Sequence, residues 1–389
     1  MSMTIISTPS GNPTSLSHRN ASRKRLRVCH LSMTLRTGGL ERLLVDLGRF
    51  HDPSRYELSF VALGPLGQPA EDLKEAGFPV RSLEVSANGK AKTIQGLRDY
   101  LNYRQIDILH THNTYPHFYG AMAARWAGVK TIINTQHGRG CGAGWKALWQ
   151  FRLANRLSAR IVGVSEDAMK LCQGQDPRSA ARMRCIWNGI DLDRFAYRGP
   201  QSAPVAMAVG RLSPEKDFPT LLRAIRKVVV VHPGFKLKLV GDGSERALLE
   251  KMVTDLKIER HVEFLGERKD VPALLETAGF YVSSSKTEGI SLTLLEAMAV
   301  GLPVVTTNVG GNPEIVMPGI NGSLVPPLNP DALAVAMMNM IEQHEHWSDM
   351  AQLGRLRIEQ NFSIRSMVSQ YEELYAECHH AACPQSTEK

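Results

Sequence analysis

The chain has 389 residues, enough for two domains of ordinary size, and its 43% hydrophobic and 22% charged content is that of a globular protein. No uninterrupted apolar run reaches the roughly 18 residues of a membrane span, and the six cysteines (Cys29, Cys141, Cys172, Cys185, Cys378, Cys383) lack CxxC spacing, which reads as reduced thiols with no zinc site. The net charge of +8 is unevenly held: Met1–Trp187 carries 26 Lys and Arg against 13 Asp and Glu, the remainder 20 against 25.

Residues 1–23 are rich in Ser, Thr, Asn and Pro with no apolar core, so a disordered tail is expected rather than a signal peptide or anchor. A basic knot follows at Arg23, Lys24, Arg25 and Arg27. Short apolar runs then alternate with longer amphipathic ones, the pattern of βαβ units and a parallel sheet. The predicted strands of the first half are Leu26–Leu31, Leu58–Leu63, Ile108–His110, Thr131–Thr135, Ile161–Val164 and Cys185–Trp187, with helices such as Leu40–Phe50 and Tyr119–Trp126 between them. Arg152, Arg156 and Arg160 recur at i, i+4 spacing, either as a solvated face or as an attraction for an anionic membrane or acceptor. Asn188–Pro204 reads as a linker. The rhythm restarts with strands at Val205–Val209, Lys236–Val240, Val262–Leu265, Phe280–Ser283, Pro303–Thr306 and Ser323–Val325, and an amphipathic helix over 364–380 closes the chain. The predicted fold class is α/β: two doubly wound Rossmann-like domains, 24–190 and 200–362, with ligands in a cleft at the carboxyl ends of their strands.

Four segments carry chemistry. Ser283-Ser-Ser-Lys-Thr-Glu288-Gly289-Ile290-Ser291-Leu292 leaves a strand and opens a helix with Ser291 at its N-cap position, so the orphan N–H groups there suit a diphosphate. Glu288 on that loop can accept hydrogen bonds from sugar hydroxyls, and Glu296 inside the helix can take a ribose diol. In Val209-Gly210-Arg211-Leu-Ser-Pro-Glu-Lys216, two cations follow a strand and can stabilise the charge that grows on a departing nucleoside diphosphate. Thr37-Gly38-Gly39 lets backbone approach a phosphate, but it is not the GxGxxG of a dehydrogenase. His110, His112 and Asn113 end one predicted strand, and His137 ends the next. The i, i+2 histidines share a face and could join a third ligand around a metal, but no acidic residue stands beside them and no metal is expected. His137 beside Gly138 suits a hydrogen bond to a sugar hydroxyl. The turns Gly241-Asp-Gly243 and Gly310-Gly311, and the segment Leu265-Gly-Glu-Arg268-Lys269-Asp270, complete the second half as backbone donors and a base-binding edge.

Taken together, these segments resemble glycosyltransferase family 4, the retaining nucleotide-sugar transferases of GT-B fold, over about Arg25 to Tyr375. The markers are Glu288-x7-Glu296, the Gly-Arg…Glu-Lys segment at Arg211 and Lys216, and Gly310-Gly311 with Glu314. The resemblance implies catalytic roles for Glu288, His137, Arg211 and Lys216. It places Gly38, Gly39, Gly210, Gly289, Ile290, Ser291, Leu292 and Glu296 on the donor and His110, His112 and Asn113 toward the acceptor. It further implies that helix 364–380 packs back on the first domain, and that retention needs positioning and charge stabilisation rather than a protein nucleophile. Many relatives carry Phe-Gly where this chain has Ile290-Ser291, so the donor sugar is left open. The expected activity is transfer of a hexose-type sugar from a UDP- or GDP-sugar to a lipid-linked or polysaccharide acceptor, cytoplasmic at the inner membrane face, with no cofactor and no nucleic-acid partner. The alternatives are a nucleotide-sugar epimerase of the same fold and a non-catalytic nucleotide-sugar scaffold.

Overall fold

The structure, a computed structural model, describes residues 25–138, 142 and 144–382. The expected tail, Arg23 and Lys24 of the basic knot, Cys141 and Cys383 lie outside the described residues.

Two wholly parallel sheets form the frame. The first holds β1 (Leu26–Ser32), β2 (Tyr56–Ala62), β3 (Val80–Ser82), β4 (Ile108–His112), β5 (Thr131–Gln136), β6 (Arg160–Gly163) and β7 (Met183–Cys185), in the order β3-β2-β1-β4-β5-β6-β7. The second holds β8 (Val205–Val209), β9 (Lys236–Val240), β10 (Val262–Gly266), β11 (Phe280–Val282), β12 (Val304–Thr307) and β13 (Gly322–Val325), in the order β10-β9-β8-β11-β12-β13. Most of these strands read as near-continuous apolar runs because helices cover both faces of each sheet. In both sheets the strand order reverses at the central strand, β1 or β8. That leaves a crevice at the carboxyl ends, where ligands bind in such folds.

The expected strands are present, with β3 added. Val80-Arg81-Ser82 is a three-residue, partly exposed edge strand with no apolar run to announce it. The run Cys185–Trp187 is displaced: the strand is Met183–Cys185, and Trp187 leaves the sheet to pack against Phe362.

Two chain segments join the halves and run side by side. Ile190 N–H donates to the Phe362 carbonyl at 2.9 Å, and Ile364 N–H donates to the Ile190 carbonyl at 2.9 Å. A side chain on Gly189 would collide with the Ser363 backbone, so only glycine lets the two crossings lie this close. The terminal helix Ile364–Ala382 packs on the first sheet, where Tyr371, Leu374 and Tyr375 share a buried cluster with Val28, Phe60 and Ile108. Its backbone is tied down as well, since Tyr56 Oη donates to the Glu372 carbonyl at 2.7 Å.

Candidate active site

A cleft of about 690 Å³ opens between the carboxyl ends of the two sheets, lined from both halves. The first half contributes Thr37 to Leu40, Asn113, His137, Gly138 and Asn188. The second contributes Gly210, Arg211 and Lys216, the Gly241–Asp242 turn, Glu267 and Arg268, and Thr287 to Ile290 with Leu292 and Thr293.

The second-half wall is built from two loops stitched together. Ser284 Oγ donates to the carbonyls of Lys216 (3.0 Å) and Asp217 (2.9 Å), and Lys286 N–H donates to the Glu215 carbonyl at 2.8 Å. These bonds hold the cation loop after β8 against the small-residue loop after β11. Lys216 Nζ consequently lies 2.5 Å from Glu288 Oε1, which also accepts from Ser285 Oγ at 2.7 Å. Glu288 has a side chain 12% exposed and Lys216 25%, so the ion pair sits in the wall with one face to the cleft.

The helix Leu292–Val300 begins at the cleft, with Leu292 and Thr293 in its lining. Ser291 occupies the N-cap position but makes no side-chain cap bond; its hydroxyl instead lies 3.3 Å from Thr293 Oγ1. The positive end of this helix dipole therefore faces the cleft without a side-chain acceptor at the cap.

The first-half loops meet this wall closely. The Gly38 Cα region lies near Arg211, whose Nη2 would be 3.5 Å from a Cβ there, and a Cβ on Gly39 would stand 3.4 Å from Leu292 Cδ1. A side chain on Gly289 would collide with the His137 carbonyl oxygen, so these two loops touch backbone to backbone. His137 is placed by Asn113, which sits at the end of β4 with φ +67°, a conformation Asn tolerates, and accepts from His137 N–H through Oδ1 at 2.9 Å.

Four of the sequence-derived site residues stand elsewhere. His110 and His112 are buried in the first domain rather than exposed to an acceptor, because the terminal helix covers their face of the sheet. His110 lies 2.6 Å from Tyr375 Oη and 2.8 Å from Thr135 Oγ1. Ser291 is buried, and Glu296 is absent from the cleft lining among the described residues. Burial pushes the Glu296 carboxyl up to about 7, with Arg194 opposing and Asp46 adding to the rise.

Two features escaped the sequence. His30 of β1 joins His110 and His112, their ligand atoms lying within 4.8 Å of one another, a spacing that could in principle hold a metal. Most of the nitrogens are bonded: His30 Nδ1 lies 3.1 Å from His112 Nε2, and His112 Nδ1 lies 2.9 Å from His137 Nε2, while His30 Nε2 has no partner among the described residues. Both nitrogens of His110 are bonded as well, so an ion held by these three rings would displace hydrogen bonds at His110 and His112. Burial drives His30 and His137 down to about 3 and lowers His110 and His112 well below the usual imidazole range, so all four rings are uncharged at neutral pH. The second is the cross-domain contact of Glu314, which the sequence offered only as a marker of the family resemblance. Its carboxylate accepts from the N–H groups of Glu166 (2.9 Å) and Asp167 (3.0 Å), which open the helix Glu166–Gln175 of the first half, and from Trp187 Nε1 at 2.8 Å.

The family model for glycosyl transferases group 1 matches residues 190–357, and that for glycosyltransferase family 4 matches residues 37–194. The chain belongs to the group 1 glycosyltransferases. Among curated relatives, this glycosyltransferase is 24% identical over 376 residues to the UDP-Gal:alpha-D-GlcNAc-diphosphoundecaprenol alpha-1,3-galactosyltransferase of Escherichia coli, covering 90% of this chain and 97% of that one. It is 25% identical to a GDP-mannose-dependent monoacylated alpha-(1-6)-phosphatidylinositol monomannoside mannosyltransferase of Corynebacterium glutamicum, over 71% of this chain and 77% of the relative. Among solved structures, HepE of Anabaena in complex with UDP superposes with a TM-score of 0.79 at 23% identity, covering 90% of this chain and all of that one. Its complex with UDP-glucose gives 0.80 at 22% identity, over 91% of this chain and again all of that one. The architecture is thus the two-domain GT-B fold.

Proposed function

We propose that this glycosyltransferase moves a hexose-type sugar from a UDP- or GDP-sugar, with retention and without a metal, to a hydroxyl of a lipid-linked or polysaccharide intermediate. The observation that carries the reading is the cleft wall in which Arg211, Lys216 and the start of the helix Leu292–Val300 converge beside Glu288. In transfer, the bond from the anomeric carbon to the diphosphate oxygen breaks and a bond to the acceptor oxygen forms. The acceptor's proton passes to the departing phosphate on the same face. Charge accumulates on the leaving diphosphate, and two side-chain cations with a helix N-terminus are the groups that stabilise it. They can fill the place a divalent ion takes in other transferases, which is the basis of the metal-free reading. Glu288 and His137, on opposite sides of the Gly289 contact, are proposed to hold the sugar.

The choice of UDP or GDP draws on what the relatives' names state of them, as does the lipid-linked acceptor. The first half supplies a further reason for a membrane-borne acceptor. Between Asp107 and Glu166 there is no acidic residue but there are seven Lys or Arg. On the helix Trp145–Leu157, Trp145 (82% exposed), Trp149 (54%), Arg152 and Arg156 form one exposed stripe at helical spacing. Exposed Trp beside Arg suits the interface of an anionic bilayer, here proposed as the inner membrane face. The basic knot contributes less than its charge suggests. Arg27 pairs with Asp107 and Arg25 with Glu57, and outside the knot Arg160 pairs with Glu377. Among the described residues no helix is long and apolar enough to cross a membrane.

Calorimetric titration of UDP, GDP and ADP into metal-free protein tests the donor site. Binding of one diphosphate that is lost in Arg211→Ala supports it, and no binding of any overturns it. Transfer should survive EDTA; complete loss restored by one divalent ion would refute the metal-free mechanism. Anionic phosphatidylglycerol vesicles should sediment the wild type but not Trp145→Ala/Trp149→Ala, and equal sedimentation of both would remove this stripe from the argument.

A further inference from the structure

The buried histidines of the first domain form a line that ends at the cleft. The register of the sheet pairs His30 of β1 with His110 of β4, and His110 and His112, two apart, share one face of β4. His30, His112 and His137 are then joined through Nδ1···Nε2 contacts of 3.1 Å and 2.9 Å. The line starts in the core, where the His30 ring stacks on Phe60 at 5.2 Å, and finishes at His137 in the cleft lining. Among the described residues two nitrogens, one at each end, are buried without a partner: His30 Nε2 and His137 Nδ1.

A neutral imidazole carries one N–H, so three rings joined head to tail have only two proton orders. In the first order, His30 accepts from His112 and His112 accepts from His137. Each proton then points inward, and His30 Nε2–H is stranded in the core. In the second order, His30 Nδ1–H donates to His112 and His112 Nδ1–H donates to His137 Nε2. The core is then left with only a bare lone pair, and His137 carries its proton on Nδ1. Either order leaves one buried N–H without a protein partner; only the second puts it on a residue of the cleft lining, where a ligand oxygen can satisfy it, and that selects the second order. The first would also leave His137 Nδ1 without a hydrogen to give, although no protein donor faces it.

We propose that His30 and His112 are positioning residues that fix His137 as its Nδ1–H tautomer, so that it meets the transferred sugar as an oriented hydrogen-bond donor. This rests on the sugar-transfer reading above, since the acceptor of that N–H is a ligand oxygen. It gives the interior histidines a task that packing alone does not require. Apolar residues would fill the same volume in β1 and β4 without the cost of burying imidazoles.

The test uses the full chain labelled with ¹⁵N-histidine, in which the ring nitrogen shifts report the tautomer and His137→Gln identifies the His137 signals. The expected result is a protonated Nδ1 and an unprotonated Nε2 at His137. A protonated Nε2, or an even mixture, overturns the proposal, and this reading holds even if no sugar transfer is found. Kinetics supply the second arm. His112→Leu should lower kcat about 10- to 100-fold, the range for losing a group that orients a functional side chain, with diphosphate affinity changed less than about twofold. His112→Asn, whose amide nitrogen can stand where Nδ1 stood, should recover at least about tenfold over the leucine variant. A folded His112→Leu enzyme with wild-type kcat, or an asparagine variant no better than leucine, would also sink it. Should His112→Leu fail to fold, the tautomer measurement on the wild type still decides.

Discussion

Glu314→Ala should release the two halves of the molecule from one another at the start of the helix Glu166–Gln175. The carboxylate accepts three hydrogen bonds, from two backbone N–H groups at the positive end of that helix and from the Trp187 indole. A hydrogen bond to a charged group contributes about 1.5–3 kcal/mol. The three share one half-buried carboxylate and water can replace some of them, so about 3 kcal/mol for the set is the reasonable figure. At about 1.4 kcal/mol per tenfold, that is roughly a 100-fold change in local opening. Amide hydrogen exchange reads it directly: the Glu166 and Asp167 amides should exchange about 100-fold faster in Glu314→Ala. In Trp187→Phe, which removes one bond of the three, the rise should be about tenfold or less. The thermal transition should fall by several degrees and broaden, since two domains need not unfold as one. Unchanged exchange at Glu166 and Asp167, with the variant otherwise folded, would refute the idea that Glu314 couples the domains.

Glu288→Ala should cut transfer by about 100-fold or more while leaving the melting temperature within a few degrees, because the carboxylate sits in a cleft loop rather than in the core; near-normal turnover would remove it from the mechanism. Gly289→Ala forces a methyl into the His137 carbonyl, and a cost of about 1–3 kcal/mol with at least a tenfold fall in kcat/KM is expected; a fully active alanine variant would show that the two loops need not touch. Glu296 holds its proton up to about pH 7 in the folded chain, whereas the unfolded chain loses it near 4.5. Stability should therefore drop as pH rises from about 4.5 to 7 and then level off, by about 3 kcal/mol before screening and roughly half that for a side chain with some solvent contact. Glu296→Gln should abolish that drop in denaturant titrations, and an identical pH dependence in both proteins would contradict it.

The frame was legible because burial on both faces leaves a continuous apolar signature. Val205–Val209 and Lys236–Val240 are observed with the bounds the sequence suggests. Elements governed by distant partners were not. Trp187 reads as the end of a strand, yet Glu314, 127 residues away, takes its indole N–H out of the sheet. His30 within Val-Cys-His-Leu reads as one more core position until β1 is set beside β4 and the ring meets His112, 82 residues on. His110 and His112 were legible as sharing a face, since alternation dictates that. Which side that face looks toward depended on a helix near the far end of the chain, where Tyr371 and Tyr375 come to lie over it. Glu288, Arg211 and Lys216 were legible for the opposite reason. Their loops follow strands directly, and the carboxyl ends of parallel strands point into the crevice whatever else the chain does.

The same geometry explains why glycine recurs where charge does. At Gly289 the first-half loop meets the second through the His137 carbonyl, and a Cβ on Gly311 would strike the Gly289 carbonyl that backs this contact. The Gly289 contact sets the separation of the two loops by backbone size, which varies less than side-chain size. His137 and Glu288 are thereby placed on either side of one backbone contact, both in the cleft lining. Arg211 and Lys216 then act across a gap whose width is fixed, beside the Gly38 loop, which adds no side-chain bulk at its two glycines. A substitution that widened the glycine contact by a methyl would displace His137 from the sugar position proposed for it while leaving the cation loop on its own strand. Diphosphate binding and transfer should therefore separate in Gly289→Ala: the first persists, and the second is lost.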